Sequence, residues 1–268
     1  MTNYALATQI ICGVILVVLF IYTMYRYPFK VDTKGLAWAA LLVSIALVLN
    51  ALSISFGEVL KINFALIPLM LSGVLLAPGY AFMVGIAFDA LGLIITPTSY
   101  PFLGFTLSNV LSALLPAYWY ANRIKLNPQL VYKLVDVMLV ALATLGSIFI
   151  FTLNKANIAA ASVTVTLTMK LSVSALLFTI SIIIIIVLRG VKKRMRNAES
   201  EELATWMVTC VGMEVLISLV LNPLWLDVMF GVPMILSMFI RIVKECIMIP
   251  IDISIGYALV RALKRLRH

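Results

Sequence analysis

The sequence has few charged residues, and this shortage narrows the classes of protein that it can belong to. Only 12% of its 268 residues are Asp, Glu, Lys or Arg, whereas 63% are hydrophobic. A soluble domain carries about 25% charged and about 45–50% apolar residues. The composition therefore excludes a water-soluble globular protein and predicts an integral membrane protein.

Histidine and cysteine are too scarce for the common metal and nucleophile sites. The one histidine is His268, which leaves no H-E-x-x-H zinc motif and no Ser–His or Cys–His pair. Cys12, Cys210 and Cys246 are far apart in apolar stretches, so no metal-binding pair or disulfide framework is expected. The sequence also lacks a G-x-x-x-x-G-K-[ST] phosphate loop. We expect no metal, no cofactor, no catalytic residues and no enzymatic activity.

Apolar runs of membrane-spanning length recur along the chain. A helix needs about 20 apolar residues to cross the hydrocarbon layer of about 30 Å, so we predict an all-α, polytopic membrane helical bundle with about nine transmembrane helices. The predicted spans run approximately over residues 4–25, 36–55, 64–77, 79–96, 103–121, 134–153, 164–188, 205–225 and 232–260. Because the third ends at Ala77-Pro78-Gly79, a turn signal, we expect it to form a helical hairpin with the fourth.

The basic residues cluster in alternate connecting segments of this topology. They are concentrated in residues 26–34, 123–133, 189–196 and 261–267. Because Lys and Arg are enriched in cytoplasmic loops, this pattern predicts a multi-pass protein with its N-terminus outside and its C-terminus in the cytoplasm. We therefore interpret the net charge of +9 as a topology signal and not as a nucleic-acid-binding surface.

The predicted spans contain few ionisable side chains, and each is expected to be paired inside the bundle or to contact a ligand. The last span carries Arg241, Lys244, Glu245 and Asp252 along one helical face. Two interpretations remain open here. Either Arg241 and Glu245 neutralise each other across one turn, or Arg241 or Lys244 faces an anionic or hydrogen-bonding ligand in a cavity open to the outside.

Other polar and aromatic segments converge on the same predicted outer side. Residues 55–64 alternate polar and apolar side chains, residues 96–106 supply aromatic rings and hydroxyl groups, and Asn222-Pro223-Leu224-Trp225 ends the eighth span. Aromatic residues at this depth are also typical of an interfacial belt. A pocket with stacking faces, amide donors and a cation would suit a flat heterocycle that carries carboxylates.

Several stretches form a series in a fixed order along the chain. They are residues 40–45 with 61–69, 85–92, 101–107, 221–226, and 241–244 with 249–251. In this order, they resemble the substrate-binding S component of energy-coupling factor (ECF) vitamin transporters, and the folate-type branch fits best. The resemblance covers residues 36–121 and 205–265.

The resemblance implies a domain organisation and a set of partners. It implies an S-component core of six helices, four in residues 36–122 and two in residues 205–268. Residues 1–35 would then be an extra N-terminal helix with its cytoplasmic loop, and residues 123–204 an inserted helical hairpin with a basic loop. Such a subunit of the bacterial cell membrane binds a vitamin from outside and releases it inward by docking on a transmembrane scaffold subunit with two cytoplasmic ATPases.

The resemblance also implies roles for individual residues. The implied ligand contacts are Lys61, Phe64, Phe105, Thr106, Asn222, Trp225 and Arg241. Ala40 and Ser44 are implied to dock on the scaffold, since small residues one turn apart let another helix approach closely. Ser44 stands where an alanine is expected. Folate or a related pterin is the expected ligand.

Three other interpretations remain open. The chain could be an S component for a different vitamin, or a purely structural membrane scaffold without an enclosed outward cavity. It could also be an intramembrane hydrolase in which Asp89 and Asp252 share a proton, although Asp89 follows Ala87-Phe88 instead of a G-x-G-D type motif.

Overall fold

The chain folds into a bundle of helices, described here from a computed structural model. The structure describes residues 3–28, 30–56, 60–95, 101–122, 126–152, 155–158, 161–164, 166–194 and 197–267. The helices are α1 (Asn3–Arg26), α2 (Thr33–Ala51), α3 (Leu66–Leu75), α4 (Pro78–Ile95), α5 (Leu103–Ala121), α6 (Pro128–Thr152), α7 (Leu167–Arg194), α8 (Asn197–Met213), α9 (Asn222–Phe230) and α10 (Met234–Arg267). A π-helical segment, Glu214–Leu221, joins α8 to α9, so the two form one continuous rod.

Two short antiparallel hairpins lie in the connections between helices. β1 (Ile54–Phe56) pairs with β2 (Leu60–Ile62), and β3 (Lys155–Ile158) pairs with β4 (Ala161–Thr164). The alternating pattern of residues 55–64 therefore corresponds to a strand pair, as a period of two favours. Because both hairpins are confined to connections, the fold is the helical membrane bundle that the sequence predicts.

Each of the nine predicted spans contains a helix, and six helical segments are long and apolar enough to cross a membrane. The six, within the described residues, are Tyr4–Arg26, Thr33–Ala51, Pro78–Ile95, Pro128–Thr152, Leu167–Gly190 and Glu199–Phe230. α3 is shorter than the predicted span, because its 10 residues follow β2 and end at the extended residue Leu76. At about 1.5 Å per residue it is shorter than the membrane is thick.

One end of the bundle carries ion pairs between its helices, within the described residues. This end, which we call the basic end, contains the ends of α1, α7 and α10 and the starts of α2 and α8. Its ion pairs include Arg189–Asp136, Arg261–Glu199 and Lys264–Glu202. The opposite end, which we call the hairpin end, contains β1, β2 and the starts of α5 and α10. The basic end contains described residues of segments that the sequence predicts to be cytoplasmic, among them Arg26, Arg189 and Arg261.

The interior contains two large hydrophobic clusters and a small third one, formed by Ala81, Ala113 and Ala117 between α4 and α5. The larger is built by α2, α3, α4, α6, α7, α8 and α10, and Met70, Leu139 and Trp206 are among its fully buried side chains. The smaller joins α1, α4, α5 and α9 around Phe82 and Leu114. α6 thus contributes to the larger cluster, although it lies in the segment that the resemblance implies to be inserted. That insertion stays a prediction.

α1 lies at the edge of the bundle and packs through one face only. Cys12 is buried in the smaller cluster, and the rings of Phe20 and Phe82 lie 5.4 Å apart. Nearer the basic end, the hydroxyl oxygens of Thr23 and Tyr118 are 2.6 Å apart and share a hydrogen bond. Most large apolar side chains on the remaining faces of α1 are exposed, as expected for a helix in contact with lipid.

Glycine residues allow α3, α4 and α5 to approach closely. A Cβ atom added to Gly73 would lie 2.2 Å from the backbone oxygen of Ala113, and one added to Gly85 would lie 2.5 Å from Cα of Val110. Neither position accommodates a side chain without movement of the helices. Small residues at such contacts are typical of helix pairs in membranes, where close packing replaces the hydrophobic effect.

The substitution Gly73→Ala is expected to lower the free energy of unfolding in detergent by about 1–3 kcal/mol, because the methyl group overpacks the contact between α3 and α5. Gly212→Ala is the matched control, since no atom lies within 4 Å of its added Cβ. Alanine there should stabilise the helix by up to about 1 kcal/mol. Chemical denaturation followed by circular dichroism measures both, and equal stabilities would contradict the close contact.

Candidate ligand-binding site

Aromatic side chains gather at the hairpin end, where the start of α5 contacts α9. The ring of Phe102 contacts those of Phe105 and Trp225 edge to face, with centroids 6.0 Å and 5.8 Å apart. The indole N–H of Trp225 donates to Oγ of Ser108 at 2.9 Å. Gly104 makes room for this arrangement, since a Cβ there would meet the Trp225 ring at 2.7 Å. We call Phe102, Phe105 and Trp225 the aromatic corner.

Asp89 connects α4 to the first turns of α5 beside the aromatic corner. Its Oδ2 accepts a hydrogen bond from the Thr106 hydroxyl at 2.6 Å, and its Oδ1 accepts one from the Asn109 amide at 2.9 Å. Thr106 and Asn109 reach the same carboxylate because residues three apart lie on one helical face. The Thr106 hydroxyl is thereby oriented, and its oxygen can still accept a hydrogen bond from another group.

A second group of polar side chains is buried between α10 and the π-helical segment. Its members, which we call the buried polar cluster, are Glu214, Ser218, Ser237, Arg241, Lys244, Glu245 and Asp252. Nζ of Lys244 lies 2.8 Å from Oε1 of Glu245 and donates to Oγ of Ser218 at 3.0 Å. The Ser218 hydroxyl donates to the same Glu245 oxygen at 2.5 Å. The ion pair is therefore held by a hydroxyl group from a second helix.

Arg241 belongs to this cluster and is 7% exposed. Its Nε donates to Oγ of Ser237 at 3.4 Å, a long hydrogen bond, and its charge interacts with Glu245 and Glu214. Glu245 thus interacts with two cations of its own helix. Its direct ion pair is with Lys244, and Arg241 contributes a further favourable charge interaction. A role of Arg241 in ligand binding stays a prediction.

The π-helical segment carries residues of both groups on one rod. The backbone N–H of Asn222 donates to the carbonyl of Ile217, five residues earlier. Pro223 comes next and has no N–H, so the regular α-helical hydrogen bond at this position cannot form. Wide turns of this kind are frequent at functional sites. Glu214 and Ser218 reach the buried polar cluster from this segment, and Trp225 reaches the aromatic corner from α9.

The structure brings some of the predicted ligand-contact residues together. Phe105 and Trp225 belong to the aromatic corner, and Thr106 lies beside it on α5. Asn222 is half-buried and lies one turn before Trp225 on the same rod. Arg241 lies in the separate buried polar cluster, next to the π-helical segment that leads to Asn222.

The other predicted site residues lie further from these groups. Phe64 is half-buried and packs against the larger hydrophobic cluster. The backbone of Lys61 lies in β2, and its side chain is outside the part of the chain that is described. The predicted docking residues Ala40 and Ser44 are both exposed on α2, on the face opposite its buried residues. Residues 96–100, at the predicted outer turn, also lie outside the described residues.

Sequence reasoning missed several partners of these residues. Asn109, Ser108, Ser218 and Ser237 were not predicted, although each hydrogen bonds to a residue that was named as a candidate. A possible signal was their polarity, since each lies in a predicted span where a polar side chain needs a partner. Nothing in the spacing alone identifies which partner that is.

The two carboxylates of the hydrolase alternative have different surroundings. Asp89 bonds to α5, whereas Asp252 faces Glu214, and its backbone carbonyl accepts the Trp206 N–H at 3.3 Å. These contacts do not favour a catalytic pair. In the part of the chain that is described, no three His, Cys, Asp or Glu side chains are arranged to hold a metal ion.

Comparison with known proteins finds a likeness in fold. No family model and no curated protein matches the sequence. Among solved structures, a crystal structure of FolT bound with folic acid matches with a TM-score of 0.51 and 19% identity, over 86% of this chain and 95% of that chain. The chain is therefore a multi-pass helical membrane protein. Its fold is similar to that of FolT, which confirms at the level of fold the resemblance that the sequence indicated.

Removal of the Asp89 carboxylate is expected to loosen the start of α5. Asp89→Ala leaves the Thr106 hydroxyl and the Asn109 amide without their acceptor, so the free energy of unfolding should fall by about 1–3 kcal/mol. Asp227→Ala, at an exposed acid on α9, is the control and should change it by less than about 0.5 kcal/mol. Chemical denaturation in detergent measures the difference, and an equally small effect at Asp89 would contradict the anchoring role.

Proposed function

We propose that the chain is the substrate-binding S component of an ECF-type vitamin importer and that its ligand is folate or a related pterin. The observation that carries the proposal is the likeness in fold to FolT, whose crystal structure holds folic acid. The ordered series of sequence segments that resemble S components supports the same assignment. In this proposal the hairpin end faces outward, and ATP is hydrolysed by partner subunits.

The side chains beside the aromatic corner have the chemistry that a flat heterocycle requires. Phe105 and Trp225 offer aromatic faces for stacking. Because the Trp225 N–H is already bonded to Ser108, Trp225 would contribute stacking and not a hydrogen bond. Thr106 would accept a hydrogen bond from the ring, and Asn222 would supply an amide that both donates and accepts.

Arg241 would complement a carboxylate or a ring acceptor of the ligand. Because it is only 7% exposed, a ligand paired with it would lie in a region of low dielectric, where charge-assisted hydrogen bonds are strong. Lys61 and Phe64 follow β1 in the same connection, and β2 contacts α10. We propose that Lys61 adds a second cation and that Phe64 adds apolar contact area.

The exposed face of α2 suits docking on a scaffold subunit. The Ser44 hydroxyl donates to the backbone carbonyl of Ala40 at 2.8 Å, so its polar group is satisfied within the helix. Ser44 can therefore take the place of the expected alanine and still leave a shallow surface for close helix approach. Docking on the scaffold, with its two ATPases, would trigger inward release.

Isothermal titration of the purified protein in detergent tests the ligand. Folate is expected to bind, and Arg241→Ala should weaken binding at least tenfold, on the order of 1.4 kcal/mol. Arg265→Ala, at an exposed arginine of the basic end, is the matched control and should bind like the wild type. Absence of folate binding to the wild type would overturn the assignment of folate as the ligand. Titration with a panel of other vitamins tests whether the chain is an S component for a different vitamin.

Arg241→Ala also removes a cation from a buried cluster, so each variant is first compared with the wild type in thermal unfolding. If Arg241→Ala does not fold, Asn222→Ala tests the same site without a change in charge. If a folded Arg241→Ala protein binds folate with wild-type affinity, the proposed site is contradicted. If Arg241→Ala does not fold, wild-type affinity of Asn222→Ala contradicts the site instead.

Bulky side chains on the exposed face of α2 are expected to block docking. Ala40→Trp and Ser44→Trp should reduce co-purification with the scaffold and ATPase subunits at least tenfold, without a change in ligand affinity, because tryptophan prevents close helix contact. Ile183→Trp, on the exposed face of α7, is the control. Undiminished co-purification of both α2 variants would exclude this face as the docking surface.

A further inference from the structure

The charges of the buried polar cluster do not balance. Glu214, Glu245 and Asp252 supply three carboxyl groups, whereas Arg241 and Lys244 supply two cations. If all five were ionised, one negative charge would remain in the interior, where Glu245 is 0% and Asp252 is 1% exposed. An uncompensated buried charge is so unfavourable that a carboxyl group binds a proton instead.

The same carboxyl groups lack hydrogen-bond donors. Neither side-chain oxygen of Asp252 has a donor among the described residues, and the same holds for Oε2 of Glu245. Glu214 faces both of them at hydrogen-bonding range. Ionised carboxylates only accept hydrogen bonds, so they cannot satisfy one another. A proton on one of these carboxyl groups would supply an O–H donor, which the ionised arrangement lacks.

The helices packed against the π-helical segment do not supply a further cation among the described residues. β2 contacts α10 and carries Lys61, but the side chain of Lys61 lies outside the described residues, and the proposed function assigns it to the ligand. The π-helical segment packs against α5, α8, α9 and α10. α5 contains no Asp, Glu, Lys, Arg or His, and the one charged residue of α9 is the exposed acid Asp227. The acids of α8, within residues 199–202, lie at the basic end. Cys210 faces Glu214 and Asp252, and its ionisation would add negative charge.

We propose that Glu214, Glu245 and Asp252 together hold one proton, which makes the buried polar cluster electrically neutral. Two carboxyl groups in direct contact share a proton because both cannot be ionised at once. A metal cation would also balance the charge. Within the described ranges, however, these carboxyl groups do not form a metal-holding arrangement.

The bound proton has a consequence for ligand binding, and this consequence alone rests on the proposed function. In the ligand-free protein, the positive charge of Arg241 partly neutralises Glu214 and Glu245. An anionic ligand bound to Arg241 would compete with these two carboxyl groups for that charge. The protonated cluster would therefore bind the anion more tightly than the deprotonated cluster, and binding would take up protons. Ligand affinity should fall as the pH rises.

The stability of the ligand-free protein in detergent tests the proton directly. The folded chain holds a proton that the unfolded chain releases at neutral pH, so stability should fall as the pH rises from mildly acidic to mildly alkaline. Glu214→Gln and Asp252→Asn each remove the excess negative charge and should flatten this dependence. Glu201→Gln, at an exposed acid of α8, is the matched control and should keep the wild-type dependence.

Infrared spectroscopy supplies a readout that a purely structural role would not change. The wild type should show the C=O band of a protonated carboxylic acid, and Glu214→Gln should lack it. Absence of the band from the wild type, or an unchanged pH dependence in the folded variants, would overturn the proposal. Because neither measurement uses a ligand, failure of folate binding and failure of the proton assignment are separate results.

Discussion

A charge buried inside a bundle that lipid surrounds must be neutralised by a partner, and this requirement governs how the helices around α10 pack. Lys244 and Glu245 lie within α10 at a depth where a single unpaired charge would be strongly unfavourable. Ser218 contacts both of them from the π-helical segment. These contacts fix how α10 and the rod of α8 and α9 lie against each other.

Most of the fold could be predicted from the sequence, because long apolar runs allow few alternatives in a membrane. The break before α4 follows from Pro78, which cannot continue the hydrogen-bonding pattern of α3. The predicted span 64–77 is longer than α3, because hydropathy does not show that Phe64 and Ala65 precede the helix or that Leu76 is extended. The alternation in residues 55–64 is the signal in the sequence for β1 and β2, because a strand has a side-chain period of two.

The candidate site was less predictable, because its contacts join residues that are far apart in the sequence. Trp225 and Ser108 are 117 positions apart, and their hydrogen bond depends on how α5 and α9 pack. The ion pair of Lys244 with Glu245 was not among the sequence predictions. Helical periodicity favours contact between Arg241 and Glu245, whereas adjacent residues do not share a face. Lys244 nevertheless reaches Glu245 because its long, flexible side chain can bend around the helix.

The wide turns of the π-helical segment set the direction of every side chain that follows them in α9. One residue added to or removed from a helical rod rotates its continuation by about 100°. A chain one residue shorter between Glu214 and Leu221 would therefore turn Trp225 away from Ser108 and present a different side chain to α5. A single insertion or deletion at this point would thus remodel the aromatic corner without replacing any residue in it.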